Sequence, residues 1–203
     1  MTNETSEGFD YVPMTMTTVP IKFRFPPKKC LQAVQWMPAT ANEPLGFQTI
    51  FKTAYFADKR MLSIHWRPIF GDIYHAMDYG PMPVKIDEIL RCEPYYLSEL
   101  ELDDYPWERK GYRVSLIDPS HSSEILNPTS ISITEMDFLT EEFERCREMK
   151  FDKKTKETHQ RDWVNGFYRL DNRMDYKDMI DKDHPDREEL LQYLNSMGRR
   201  LVL

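Results

Sequence analysis

The sequence predicts a mainly α (α+β) fold: a single helical domain around a central buried helix, with a small β-hairpin or short-strand element. Three observations carry this. Between Gly46 and His65, the apolar residues Phe47, Ile50, Phe51, Ala54, Tyr55, Met61 and Leu62 recur at three-and-four spacing, the pattern of an amphipathic helix. Ser132-Ile133-Thr134-Glu135 is a capping box, with Ile131 and Met136 as its hydrophobic staple, and opens a helix to about Met149. Tyr112, Val114 and Leu116 alternate with Arg113 and Ser115, as one strand of a hairpin that turns at Asp118-Pro119-Ser120 and returns through Glu124-Ile125-Leu126.

The remaining elements follow in chain order. Residues 1–27 read as a Thr- and Pro-rich arm ending in an extended piece, where Val19, Ile21, Phe23 and Phe25 alternate with other residues. Pro26-Pro27 opens a helix from Lys28 to about Met37, with Leu31 and Val34 on one face. Asp58 falls on or beside the apolar face of the central helix, so a carboxylate buried there needs hydrogen-bond donors. Arg67-Pro68-Ile69-Phe70-Gly71 ends that helix, and Asp72 to Met77 is a short extended piece. Pro81 and Pro83 suit the first turn of a helix from Val84 to Arg91. Glu93 to Lys110 has no assignable period apart from its acidity. Further helices are expected over Asp152 to Asn165, Tyr176 to Asp181 and Pro185 to Met197, the last capped by Asp183 and ended by Gly198. The main domain is expected to span 28–198, with 199–203 as a tail.

At 203 residues the chain holds material for one core. With 27 basic and 34 acidic side chains its net charge is −7, which argues against nucleic acid as a partner. No apolar run reaches the about 18 residues of a membrane span, and the start of the chain lacks a signal-peptide pattern; a cytoplasmic protein with no membrane partner is the expectation. Cys30, Cys92 and Cys146 are odd in number and widely spaced, which fits reduced thiols.

Catalytic and cofactor signatures are missing. The chain has no phosphate loop, dinucleotide fingerprint or Gly-x-Ser-x-Gly elbow. The five histidines, His65, His75, His121, His159 and His184, show no ligand spacing, so neither a metal nor another cofactor is expected. The acidic pairs Asp103-Asp104 and Glu141-Glu142 read as solvated faces, and Arg199-Arg200 as charges at a helix C-terminus. One stretch stands apart: Gly71 to Pro83 is dense in aromatics, Met, Gly and Pro, a composition used either to pack a loop with its own side chains or to recognise a partner.

On these residues the chain resembles the Panacea-domain (SocA-like) antitoxins. The resemblance runs through Tyr55-Phe56-Ala57-Asp58, Trp66-Arg67-Pro68-Ile69-Phe70-Gly71-Asp72, and Tyr74-His75-Ala76-Met77-Asp78-Tyr79-Gly80-Pro81-Met82-Pro83. Ser132 to Leu139 is similar to the family's Ser-x-x-Glu helix start, and Thr158-His159 with Trp163 to its Thr-His…Trp element. Trp66 stands where the family usually has Gly and Met82 where it has Val, while Glu93 to Leu126 does not align.

The resemblance implies a bacterial or phage-borne antitoxin, not an enzyme, that neutralises a cognate protein toxin by direct contact. It allows instead a proteolytic adaptor that delivers the toxin to an ATP-dependent protease, with Met1 to Pro20 as the tether. The expected partner-binding residues are Asp72, Tyr74, Met77, Tyr79, Gly80, Pro81, Pro83, His159 and Trp163, each forming or supporting the contact face. A small-molecule enzyme using Asp72, Tyr74 and His159 as acid and base is the remaining alternative.

Overall fold

A computed structural model of the chain describes residues 20–118, 122–201 and 203. The arm and tether expected at the N-terminus, up to residue 19, lie outside the described residues, as do Pro119, Ser120 and His121.

The central helix forms as its apolar spacing predicts. α2 (Phe47–His65) buries Ile50, Ala54, Tyr55, Ala57 and Leu62 completely, and packs most extensively on α6 (Ile133–Glu148). Its two flanks serve two clusters. Phe47, Ile50, Ala54, Ala57 and Met61 join α1 (Pro27–Ala41). With them pack α3 (Val84–Leu90), α4 (Tyr95–Leu100) and the three-stranded antiparallel sheet. Tyr55, Phe56 and Leu62 face the second cluster, with Tyr74, Tyr176 and the residues Leu190 and Leu194 of α10 (Arg187–Met197).

The sheets are small. β1 (Leu45–Gly46), β5 (Arg113–Leu116) and β4 (Trp107–Lys110) lie in that order, with Leu45 opposite Val114 and Trp107 opposite Leu116. β2 (Tyr74–Met77) and β3 (Gly80–Pro83) form a separate hairpin, Tyr74 opposite Pro83 and Met77 opposite Gly80. The chain is thus mainly α with small antiparallel sheets, as expected. No helix among the described residues is long and apolar enough to cross a membrane.

The capping box stands as read. Ser132 accepts from the Glu135 amide, and Glu135 accepts in return from the Ser132 amide at 2.9 Å. Glu135 also takes Lys29 at 2.8 Å and Arg67 at 2.7 Å, so one side chain caps α6 and ties it to α1 and to the turn after α2.

Several expectations are corrected. α1 runs to Ala41 through Pro38, four residues past the predicted end. Pro81 and Pro83 belong to strand β3, and only Pro83 flanks α3; they alternate with Gly80 and Met82, whose N–H groups remain for the ladder. The partner of β5 comes before it: the hairpin turns at Gly111-Tyr112, and Ile125 ends the short helix α5 (Ser122–Ile125). The unassigned stretch holds α4 and β4. The helix expected over 152–165 is two, α7 (Phe151–Thr158) and α8 (Arg161–Phe167). α9 (Tyr176–Met179) is a single turn. The N-cap of α10 is Asp186, in place of Asp183. Glu142 is buried and takes Arg60 at 2.8 Å and Arg145 at 2.7 Å, so the Glu141-Glu142 pair is only half solvated.

Candidate functional site

The string from Asp58 to Pro83 folds into a buried polar frame and an exposed tip. Asp58 is 0% exposed on α2. Its Oδ1 accepts from the amides of Ile69 and Phe70, both at 2.8 Å, and its Oδ2 from the Gly71 amide at 3.2 Å and the Tyr74 hydroxyl at 3.0 Å. Tyr176 reaches the same oxygen at 3.4 Å and gives a closer bond, 2.8 Å, to the backbone carbonyl of Asp72. A carboxylate here does what no apolar residue can: it satisfies the amides of a buried turn. Burial pushes the Asp58 carboxyl up to about 6, against the pull of these bonds.

Asp72 does the same one turn later. Its carboxylate accepts from the amides of Ile73 at 2.6 Å, Lys85 at 3.0 Å and Ile86 at 2.9 Å, capping the first turn of α3 across the hairpin. Burial raises it to about 7. Gly71 sits between the two carboxylates at φ 60°, and a Cβ there would lie 2.6 Å from that of Phe23. Only glycine suits both conditions.

Above this frame the hairpin turns outward. Gly80, at φ 89°, lies against Lys52 and Thr158; an added Cβ would overlap the Thr158 hydroxyl and come within 2.9 Å of Lys52 Nζ. The buried Lys52 ammonium donates to the Pro81 carbonyl at 2.9 Å, and burial lowers its pKa to about 7. At the tip, Tyr79 is 63% and Met77 44% exposed. Tyr79 meets the exposed Phe151 edge-on at 5.2 Å. Trp163 donates its indole N–H to the Met77 carbonyl at 2.9 Å and stacks flat on His159, with centroids 3.6 Å apart, and on Phe167, at 4.6 Å. Exposed Val164 lies on the same helix, and exposed Tyr168 follows it as the C-cap.

The expected site residues therefore divide. Met77, Tyr79, His159 and Trp163 reach the surface together. Asp72, Tyr74, Gly80, Pro81 and Pro83 are buried beneath it. Asp72, Tyr74 and His159 do not converge as an acid–base site: Tyr74 faces Asp58, Asp72 holds backbone amides, and His159 lies on Trp163. Sequence reasoning missed Phe151, Val164, Phe167 and Tyr168 on the surface, and Lys52 and Tyr176 below. The spacing of four residues between His159, Trp163 and Phe167 was the readable sign of a stacked row.

A family model described as antitoxin SocA-like, Panacea domain, matches residues 50–164, more than half of the chain, from the first turn of α2 into α8. Neither a curated protein nor a solved structure matches.

Proposed function

The chain belongs to the SocA-like antitoxins with a Panacea domain, and from that premise we propose that it neutralises a protein toxin by binding it directly, through the face made by the β2–β3 tip, Phe151 and α8. The observation that carries this reading is the exposure of Tyr79 and Met77 on a hairpin whose base is pinned by two buried carboxylates and a buried lysine. Large apolar side chains held rigidly in solvent lose little freedom on binding, which is the condition for a hot spot. The surrounding row His159, Trp163 and Phe167 supplies flat area with a polar rim. No substrate pocket is needed for this activity.

Co-expression with the product of the adjacent open reading frame tests it. The parent restores growth and leaves the toxin's lifetime unshortened, and Met77→Asp, which places a charge on the face without touching the frame, loses at least about tenfold in binding. Rescue by Met77→Asp at parental affinity contradicts the assigned face, and a shortened toxin lifetime favours the proteolytic adaptor.

A further inference from the structure

We propose that the groove between the start of α2, the end of α6 and α7 is a binding site for one oxyanion group, a carboxylate or a phosphate. The groove encloses ≈ 560 Å³, and Gly46, Gln48, Thr49, Arg113 and Lys154 are among its lining residues. That volume suits a small ligand or the end of a peptide.

Three features of different origin converge in it. Lys154 is 7% exposed, yet its ammonium has one hydrogen-bond acceptor, Thr49 Oγ1 at 2.7 Å, and pairs with no carboxylate among the described residues. An ammonium carries three donors, and a buried cation without a counter-charge is costly. The α2 N-terminus opens on the same space: the helix is 19 residues long, its N-cap Gly46 supplies no side-chain acceptor, and its first turn has no acidic residue. The first of its amides, that of Phe47, donates to the Tyr112 carbonyl at 2.9 Å; the amides of Gln48 and Thr49, two of the lining residues, have no intrahelical acceptor and share the partial positive charge of the helix end. Arg113, on β5, gives one bond to the Pro44 carbonyl at 2.6 Å and pairs with no carboxylate among the described residues.

The acids of the groove, Glu43, Glu144 and Glu148, are all exposed and form its rim, and Glu144 is paired with Arg147 at 3.5 Å. Arg113 and Arg147 are exposed among these acids, so Lys154 is the one buried charge in the lining, and the acids around it disfavour a polyanion such as nucleic acid. The groove adjoins the proposed toxin-binding face at Phe151, which belongs to both, but its polar lining residues are separate from that face.

The test is a titration of the full chain with sodium phosphate and, separately, sodium acetate at constant ionic strength, following the backbone amide resonances of Gln48, Thr49 and Ile50, with sodium chloride as the control. Saturable shifts of these amides are expected in at least one arm. Saturation by phosphate alone assigns a phosphate ligand; saturation by acetate assigns a carboxylate. Lys154→Met is expected to weaken binding at least about tenfold. The parent titration decides even if Lys154→Met fails to fold. Shifts that stay linear in both arms, or that match the chloride control, overturn the proposal, as does a Lys154→Met variant that saturates like the parent.

Discussion

The turn around Asp58 and the tip around Tyr79 come from one stretch of chain, and they solve opposite problems. In the turn, two carboxylates and two tyrosine hydroxyls are withdrawn from water, and their cost is offset because they satisfy backbone groups that nothing else reaches. At the tip, two large apolar side chains are left in water that could have been buried. The contrast shows that the densest part of the sequence is mostly scaffold. Its acids and tyrosines hold a shape, and that shape presents a few side chains.

The comparison is broken most severely by removing the centre of the frame. Asp58→Ala leaves three amides and the Tyr74 hydroxyl without their acceptor, while Tyr176 keeps the Asp72 carbonyl, and is expected to cost about 4 kcal/mol in urea unfolding. Gly80→Val acts on the joint between frame and tip, since a side chain there meets Thr158 and Lys52 at a left-handed backbone position. Its expected cost is about 3 kcal/mol, with loss of toxin neutralisation even in the folded fraction. A Gly80→Val protein that neutralises normally would show that the tip need not be held by the frame.

A subtler difference lies in pH. Folding raises both carboxyls above the ordinary 3.8, so their contribution to stability is complete below that value and is lost as pH rises through about 6 for Asp58 and about 7 for Asp72. Lys52 behaves in the reverse sense. Folding lowers it from 10.5 to about 7, so its share is least below pH 7 and grows as pH rises toward 10.5. These three groups together place a shallow stability minimum near neutrality. Melting curves between about pH 5 and 9 check it: Asp72→Asn is expected to flatten the acid limb by a few degrees and Lys52→Met the alkaline limb.

What was legible in the sequence followed local rules. The apolar stripe of α2 and the Ser132–Glu135 box each depend on residues a turn apart, and both formed as read. That Asp58 needs donors was also legible; which donors was not, because Tyr176 lies 118 residues away. The hairpin partner of β5 was misplaced because β4 buries only Trp107 and exposes Glu108, Arg109 and Lys110, leaving no alternation to read. The break between α7 and α8 at His159-Gln160 carries no proline or glycine, and tertiary contacts decide it. Trp66 shows the limit from the other side. It takes the left-handed C-cap of α2 at φ 60°, the position where the family's usual Gly would be unstrained, and packs on Tyr193 at 5.8 Å. Trp66→Gly therefore exchanges about 1 kcal/mol of backbone relief for lost ring packing, and a thermal melt within a few degrees of the parent's is expected.

The central claim is that the tip is a face and the turn beneath it a frame, and Tyr79→Ala tests this most directly. Its thermal melt and its binding titration against the product of the adjacent open reading frame are measured side by side. The expected result is a stability loss of at most about 1 kcal/mol, the worth of the Tyr79–Phe151 ring contact, together with binding weakened by about 2 kcal/mol or more. A variant that melts early yet binds normally whenever folded would contradict it, and would make Tyr79 part of the packing.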